Sequence, residues 1–260
     1  MDNAIKRRIM TSHGVSATAL HSIPIVKSGD DLVEIILDAI KREEINLVNG
    51  DVIVIASKIV SKSEDRFVRV KDVDISEQAR EIAERNKFNP IHVELALRES
   101  AVVIKSDGVL IVETHSGLIC NFSGVDKSNA PEEEYVLLPK NPDKSAELIL
   151  QGLEKETGVE LSVVISDTQG RPWRKGLVNV AIGCAGINAF KHNKGKSDLY
   201  GRVLKRSTVC QIDELASFVE PLMGQAGERI PVVIVRGYEY SDGVEKAVDI
   251  NRTKESDMFR

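Results

Sequence analysis

The sequence predicts an α+β fold in which mixed or antiparallel sheets carry flanking helices. Two observations lead there. Helical and strand patterns do not alternate in a regular βαβ series. Hairpins are prominent instead: three apolar runs between Val102 and Cys120 are separated by Asp107-Gly108 and Ser116-Gly117, dipeptides suited to tight hairpin turns.

Taken in order, residues 1–20 are polar and irregular and read as a flexible leader. The apolar run His21-Ser22-Ile23-Pro24-Ile25-Val26 reads as the first strand. Asp30 or Asp31 caps a helix whose stripe is Leu32, Ile35, Ile36, Ala39 and Ile40. Asn49-Gly50 is a turn before the buried strand Asp51 to Ala56. Ser57 to Lys62 follows, polar at both ends. Asp74-x-x-Glu77 has the form of a capping box ahead of a helix from about Ser76 to Asn86. Asn89-Pro90 supplies the cap and first-turn proline of another helix, reaching about Glu99.

The meander of Val102-Val103-Ile104, Val109 to Val112 and Leu118-Ile119-Cys120 then runs out into a polar loop from Ser123 to Asn129. Asn141-Pro142 opens a helix to about Thr157, stopped by Gly158. Val163 and Ile165 mark a strand that ends at an Asp167 loop. Val178 to Gly186 is small and apolar, and Asp198 to Thr208 is a polar connection. A helix from about Asp213 to Met223 ends in Gly224-Gln225-Ala226-Gly227, and Pro231 to Val235 is the last strong strand. Residues 21–245 form the body, in one or two lobes, and 246–260 a charged C-terminal tail.

Composition narrows the function. At 260 residues, 42% hydrophobic and 29% charged, the chain suits a soluble globular protein with a substantial core. A net charge of −5 gives no basic field to gather nucleic acid, and 4% aromatics supply no base-stacking platform. Cys120, Cys184 and Cys210 never approach a C-x-x-C spacing, which fits reduced thiols. No apolar run has signal-peptide or membrane-span character. The expected protein is cytoplasmic, with neither nucleic acid nor membrane as a partner.

Familiar motifs fail on inspection. Gly195-Lys196-Ser197 has the tail of a P-loop, but Phe190 stands where the first glycine is required. No G-x-S-x-G, H-E-x-x-H or G-x-G-x-x-G occurs. The five histidines lack ligand spacing, and His92, early in a helix, reads as structural. Gly183-Cys184-Ala185-Gly186 reads as close backbone packing.

Two acidic segments survive. In Val163 to Gly176 an apolar run gives way to Asp167, Thr168, Gly170 and then Arg171, Arg174 and Lys175; beyond the meander lie Asp126 and Asn129. Each alone is either a solvated turn or a set of hard oxygen ligands. Together they suit Mg²⁺ or Mn²⁺ bridging a polyphosphate, with Lys62 and Arg202 as further cations. Met223-Gly224-Gln225-Ala226-Gly227-Glu228 is either a helix cap and turn or a backbone passing close to a ligand.

The ordered set Ile23-Pro24-Ile25, Gly50-Asp51-Val52, Ser61-Lys62, Gly124-Val125-Asp126-x-Ser128-Asn129, Leu137-Leu138-Pro139, Asp167-Thr168-x-Gly170-Arg171, Asp198-Leu199-Tyr200-Gly201-Arg202 and Leu222-Met223-Gly224 resembles the coenzyme F420:L-glutamate ligase family. The likeness extends over residues 20–240 or so. It implies an α+β fold without a P-loop, in an intertwined homodimer. It implies coupling of L-glutamate to the phospholactyl carboxylate of coenzyme F420-0, dependent on GTP and a divalent metal, followed by addition of further γ-linked glutamates. Metal contacts are implied at Asp126, Asn129, Asp167, Thr168 and Gln225, for one or two Mg²⁺ or Mn²⁺ ions, with K⁺ as an additional cation.

Nucleotide contacts are implied at Ile23, Pro24, Ile25, Val26, Ser57 and Lys62, and along Met223, Gly224, Gln225, Ala226, Gly227, Glu228, Arg229 and Ile230. Lys62, Asp126 and Asp167 are the expected catalytic residues, acting through an acyl phosphate. Two positions depart from the pattern. Phe122-Ser123-Gly124 stands where the family often has Asn-Ala-Gly, and Gln225 is glutamate in some relatives. The length matches the stand-alone form, without the reductase-like domain fused in some bacterial relatives. Two alternatives stay open: another nucleotide-dependent carboxylate–amine ligase on the same scaffold, and a non-catalytic nucleotide-binding protein.

Overall fold

The structure, a computed structural model, describes residues 14–258. Its elements run β1 (Ser16–Ala19), α1 (Leu32–Arg42), β2 (Val52–Ala56), α2 (Ser57–Ser63), β3 (Phe67–Arg69), α3 (Glu77–Asn86) and α4 (Pro90–Arg98). Next come β4 (Ser100–Lys105), β5 (Ile111–Thr114), β6 (Ile119–Asn121), β7 (Glu134–Val136), α5 (Pro142–Thr157), β8 (Ser162–Gln169) and β9 (Val178–Ala185). The last are β10 (Phe190–His192), β11 (Thr208–Cys210), α6 (Gln211–Met223) and β12 (Val232–Arg236).

Local chemistry sets the helix ends. The Asp31 carboxylate accepts from the N–H groups of Val33 and Glu34, and Asn89 and Asn141 cap α4 and α5 ahead of their first-turn prolines. Gly158, at φ 68°, stops α5 in the left-handed conformation that glycine adopts without strain. The cap of α3 is Ser76, not Asp74: the Ser76 hydroxyl accepts from Ala79 N–H at 3.2 Å. The Asp74 carbonyl receives the Arg98 guanidinium instead.

The central sheet has the order β1-β12-β2-β8-β9. β2 and β8 are parallel and every other pair is antiparallel, so the sheet is mixed, as expected. Alternate side chains go to opposite faces. Ile53, Ile55, Val163 and Ile165 pack with Ile36 and Leu153 of α1 and α5. Val54, Val164, Val233 and Val235 pack with Ile212, Leu215 and Val219 of α6. Gly183 lets β9 touch the start of α5, because a Cβ there would collide with the Pro142 backbone. The expected meander forms as β4-β5-β6 and builds a smaller core with α3 and α4, flanked by the β3–β7 pair.

Three expectations are corrected. Ser16–Ala19, assigned to the leader, form β1 against β12; the rest of that assignment, residues 1–13, lies outside the described residues. His21 to Val26 is not a strand. Pairing with β12 ends as Leu20 N–H reaches Val232 O at 3.0 Å, and Pro24 has no N–H to extend it. Asp167, Thr168 and Gln169 belong to β8 rather than to a loop after it, because β9 continues the ladder past a bulge between Ile165 and Ser166. At the other end, the tail begins docked: Ala247 is buried and its N–H reaches Asp143 Oδ1 at 3.0 Å. Among the described residues no helix is long and apolar enough to cross a membrane.

Candidate functional site

Sheet register gathers the site. β2 and β8 run parallel with Ala56 opposite Ser166, so the next residues, Ser57 and Asp167, emerge side by side. β12 is antiparallel to β2 with Val232 opposite Ile55, so the segment entering it, Met223 to Ile230, arrives at the same edge. β1 is antiparallel to β12 with Ala19 opposite Val233, so Ile23 to Val26 leaves there too. Four segments remote in sequence thus meet at one end of one sheet. Facing them are the Gly124-to-Asn129 loop and the β4-β5-β6 sheet. Between the two walls lies a cavity of about 1560 Å³.

Ile23, Pro24, Ile25 and Val26 line this cavity, as do Ser57 and Lys62 and the segment Met223 to Ile230 except Glu228. Asp126, Asn129, Asp167, Thr168 and Gln225 line it as well. Glu228 does not. It folds back so that its carboxylate accepts from Ala226 N–H at 2.8 Å and crowds Gly224, whose φ of +68° and missing Cβ make that fold possible. Of the expected cations, Arg171 reaches the cavity, whereas Arg174, Lys175 and Arg202 do not line it.

The two acids are held by consecutive residues at the start of α2. Ser57 Oγ donates to Asp167 Oδ1 at 2.7 Å. Lys58 Nζ donates to Asp126 Oδ2 at 2.6 Å and to the Ser128 carbonyl and hydroxyl at 2.9 and 2.7 Å. Lys62 Nζ donates to the Asn129 carbonyl at 2.7 Å, and Asn129 Nδ2 to the Ala226 carbonyl at 3.3 Å. Thr168 Oγ1 lies 2.9 Å from Asn179 Oδ1 and 3.2 Å from Gln225 Oε1.

These surroundings separate the acids electrostatically. Burial pushes Asp167 up to about 6, against the opposing pull of the Ser57 hydrogen bond. Desolvation also acts on Asp126, but the bonds from Lys58 and Ser128 together hold it below the usual carboxylate range. Burial lowers the pKa of Lys62, and the neighbouring Lys58 charge adds to the effect.

A divalent cation fits this donor set. Two carboxylates, a hydroxyl and two side-chain amides are hard oxygen donors of the kind Mg²⁺ and Mn²⁺ prefer. The Lys58 ammonium already stands in for a cation against Asp126, and Asp167 carries a desolvated carboxyl that a cation would relieve. No group of three or more His, Cys, Asp or Glu side chains with metal-binding geometry occurs among the described residues. A bound ion would therefore complete its shell with neutral oxygens.

The Phe122-Ser123 departure points away from this chemistry. Phe122 packs into the smaller core, with its ring against His92 at 4.2 Å, and Ser123 Oγ donates to the Ala96 carbonyl at 2.6 Å. His92 Nε2 sits 2.8 Å from the Val125 carbonyl, so this histidine props the turn that leads into Asp126.

A family model described as F420-0:Gamma-glutamyl ligase matches residues 21–237, nearly all of the described chain. The chain belongs to this ligase family. Similar relatives include the coenzyme F420:L-glutamate ligase of Methanothermobacter thermautotrophicus, 43% identical, with 95% of this chain aligned to 99% of the relative. Those of Methanopyrus kandleri (39% identical; 95% and 99% covered) and Methanocaldococcus jannaschii (42%; 92% and 94%) carry the same name. In this member of the F420-0:gamma-glutamyl ligase family, sequence reasoning passed over two residues of the site. Lys58 lies four residues before Lys62, so the two share a face of α2, and that spacing was the available signal. Asn179, a buried polar residue in an apolar strand, stands opposite Thr168 in the β8–β9 register.

Proposed function

We propose that the protein is a GTP-dependent ligase that joins L-glutamate to the phospholactyl carboxylate of F420-0, then adds further γ-linked glutamates, as a cytoplasmic homodimer. The observation that supports this is the meeting of Asp126 and Asp167, through Ser57 and Lys58, on one cavity with Lys62 beside them. Carboxylates are poor electrophiles at neutral pH, and the nucleotide serves to activate one. The acceptor carboxylate oxygen attacks the γ-phosphorus of GTP, the bond to the β–γ bridging oxygen breaks, and GDP departs. The glutamate amine then attacks the acyl carbon; the carbon–oxygen bond to phosphate breaks, and phosphate leaves with the amine proton.

In this reading the Lys62 ammonium faces phosphoryl oxygens as charge builds on them, while Lys58 holds Asp126 in place. Ile23 to Val26 and the segment Met223 to Ile230, Glu228 excepted, wall the nucleotide. Asp126, Asp167 and Thr168, with Asn129 and Gln225, would hold Mg²⁺ or Mn²⁺, which would supply charge neutralisation to the nucleotide phosphates.

Mass spectrometry of F420-0 after incubation with the protein, L-glutamate, GTP and Mg²⁺ tests the reading. A gain of one or more glutamyl units, with GDP and phosphate released in equal amounts, is expected. Turnover only with another acceptor or amino acid would make this a related ligase, and GTP binding without phosphate release would leave a non-catalytic nucleotide binder.

A further inference from the structure

β8 carries a row of side chains that the acidic centre does not use. Asp167 and Gln169 are two apart on the strand and so share a face, and Arg171 continues the spacing just past its end. Gln169 and Arg171 both line the large cavity. The Gln169 amide nitrogen and Arg171 Nε are buried and have no hydrogen-bond partner. Arg171 is not loose: its Nη2 donates to the Lys175 carbonyl at 3.0 Å, which anchors the guanidinium and leaves the buried Nε without an acceptor. Buried donors without acceptors are rare and costly, so two in succession beside a reactive centre call for a ligand. Gln169 also lines a second cavity, of about 300 Å³, together with His115 and Lys140. It therefore stands where the two spaces adjoin.

We infer that Gln169 and Arg171 hold a carboxylate of the amino-acid substrate, presenting it beside the acidic centre. The inference rests on the proposed ligase activity and adds a subsite to it. Two N–H donors with no acceptor between them match a group that is acceptor-only and has two oxygens. Phosphate oxygens have their own cation, Lys62, which lies on α2 rather than further along β8. A dicarboxylic amino acid held at Gln169 keeps its amine on the cavity side, near the acyl group it must attack, and extends its other end toward the smaller cavity.

Steady-state kinetics of Gln169→Leu, Gln169→Glu and Arg171→Met, each with L-glutamate, GTP and acceptor varied in turn, decides the point. The KM for L-glutamate rises roughly tenfold or more, as the loss of a charge-assisted hydrogen bond demands, while the KM for GTP stays within about twofold. Gln169→Glu is isosteric but opposes a carboxylate with a charge, so it falls at least as far as Gln169→Leu; a purely structural role would tolerate it. An unchanged KM for L-glutamate, or a shift in that for GTP or the acceptor instead, overturns the inference. Calorimetric titration of L-glutamate into the GTP-loaded protein separates this from the activity itself. Wild-type binding that the variants weaken supports the subsite even if F420-0 is not the acceptor, and a wild type that binds no glutamate refutes it.

Discussion

Ser57 Oγ reaches Asp167 Oδ1 at 2.7 Å across 110 residues of chain. The bond follows from the parallel pairing of β2 with β8. Ala56 sits opposite Ser166, and the next residue on each strand is the one that carries the chemistry. One residue further, Lys58 extends the link to Asp126, so α2 joins both acids in its first turn.

Asp167→Ala removes the acid while leaving the apolar core of β8 in place. Turnover falls by roughly a hundredfold or more, the scale seen when an electrostatic group at a reacting centre is deleted, with an unchanged circular dichroism spectrum. Near-normal glutamate ligation at modest metal concentration would take Asp167 out of the site.

The same residue sets a pH dependence. Its folded pKa of about 6 stands above the ordinary 3.8, so the folded state holds the proton more tightly. In metal-free protein the favourable contribution is full below about pH 4 and is lost as pH rises through about 6. Asp167→Asn has no such loss, so its stability advantage over wild type grows between those limits in urea titrations. A pH-independent difference would contradict the buried-carboxyl account.

Lys62→Met raises the KM for GTP by roughly tenfold, for a lost contact between an ammonium and a phosphate. Lys58→Met instead returns Asp126 toward an ordinary carboxylate pKa, measurable by NMR titration. Unchanged GTP kinetics in the Lys62 variant would place that residue outside the nucleotide site.

Gly183→Ala drives a methyl group into the Pro142 backbone, whereas Gly170→Ala meets nothing within 4 Å. The first destabilises by about 1–3 kcal/mol, the cost of forcing atoms into a filled core, and the second leaves the urea midpoint where it was. Equal midpoints for the two would show that β9 and α5 can part without penalty.

At the far end of the sheet, the Arg236 guanidinium donates to both oxygens of the fully buried Asp51, at 2.8 and 2.7 Å. Arg236→Met strands that charge and costs about 3 kcal/mol. Arg236→Met with Asp51→Asn recovers much of the loss, and a double variant no more stable than the single one would argue against an electrostatic origin.

Much of the secondary structure was legible because its causes are local. Asp31, Asn89 and Asn141 cap helices through bonds spanning two or three residues, and Gly158 stops one by its own backbone freedom. Ser76 was missed in favour of Asp74 because both precede the helix by a plausible interval, and only the bond from Ala79 N–H to the Ser76 hydroxyl decides between them. β1 carries no apolar run to announce it; β12 supplies its partner.

The sequence alone carried the caps of α1, α4 and α5, the meander and, through ordered motifs, the family resemblance with the site residues it implies, since these rest on short-range contacts and motif order. Only the tertiary structure decided that Asp167 lies within a strand, that Lys58 rather than solvent meets Asp126, that Glu228 turns away, and that Gln169 and Arg171 keep buried donors unpaired. Caps and turns are settled within a few residues of chain, whereas strand register depends on which distant segments pair, and it is register that brings these side chains into one space.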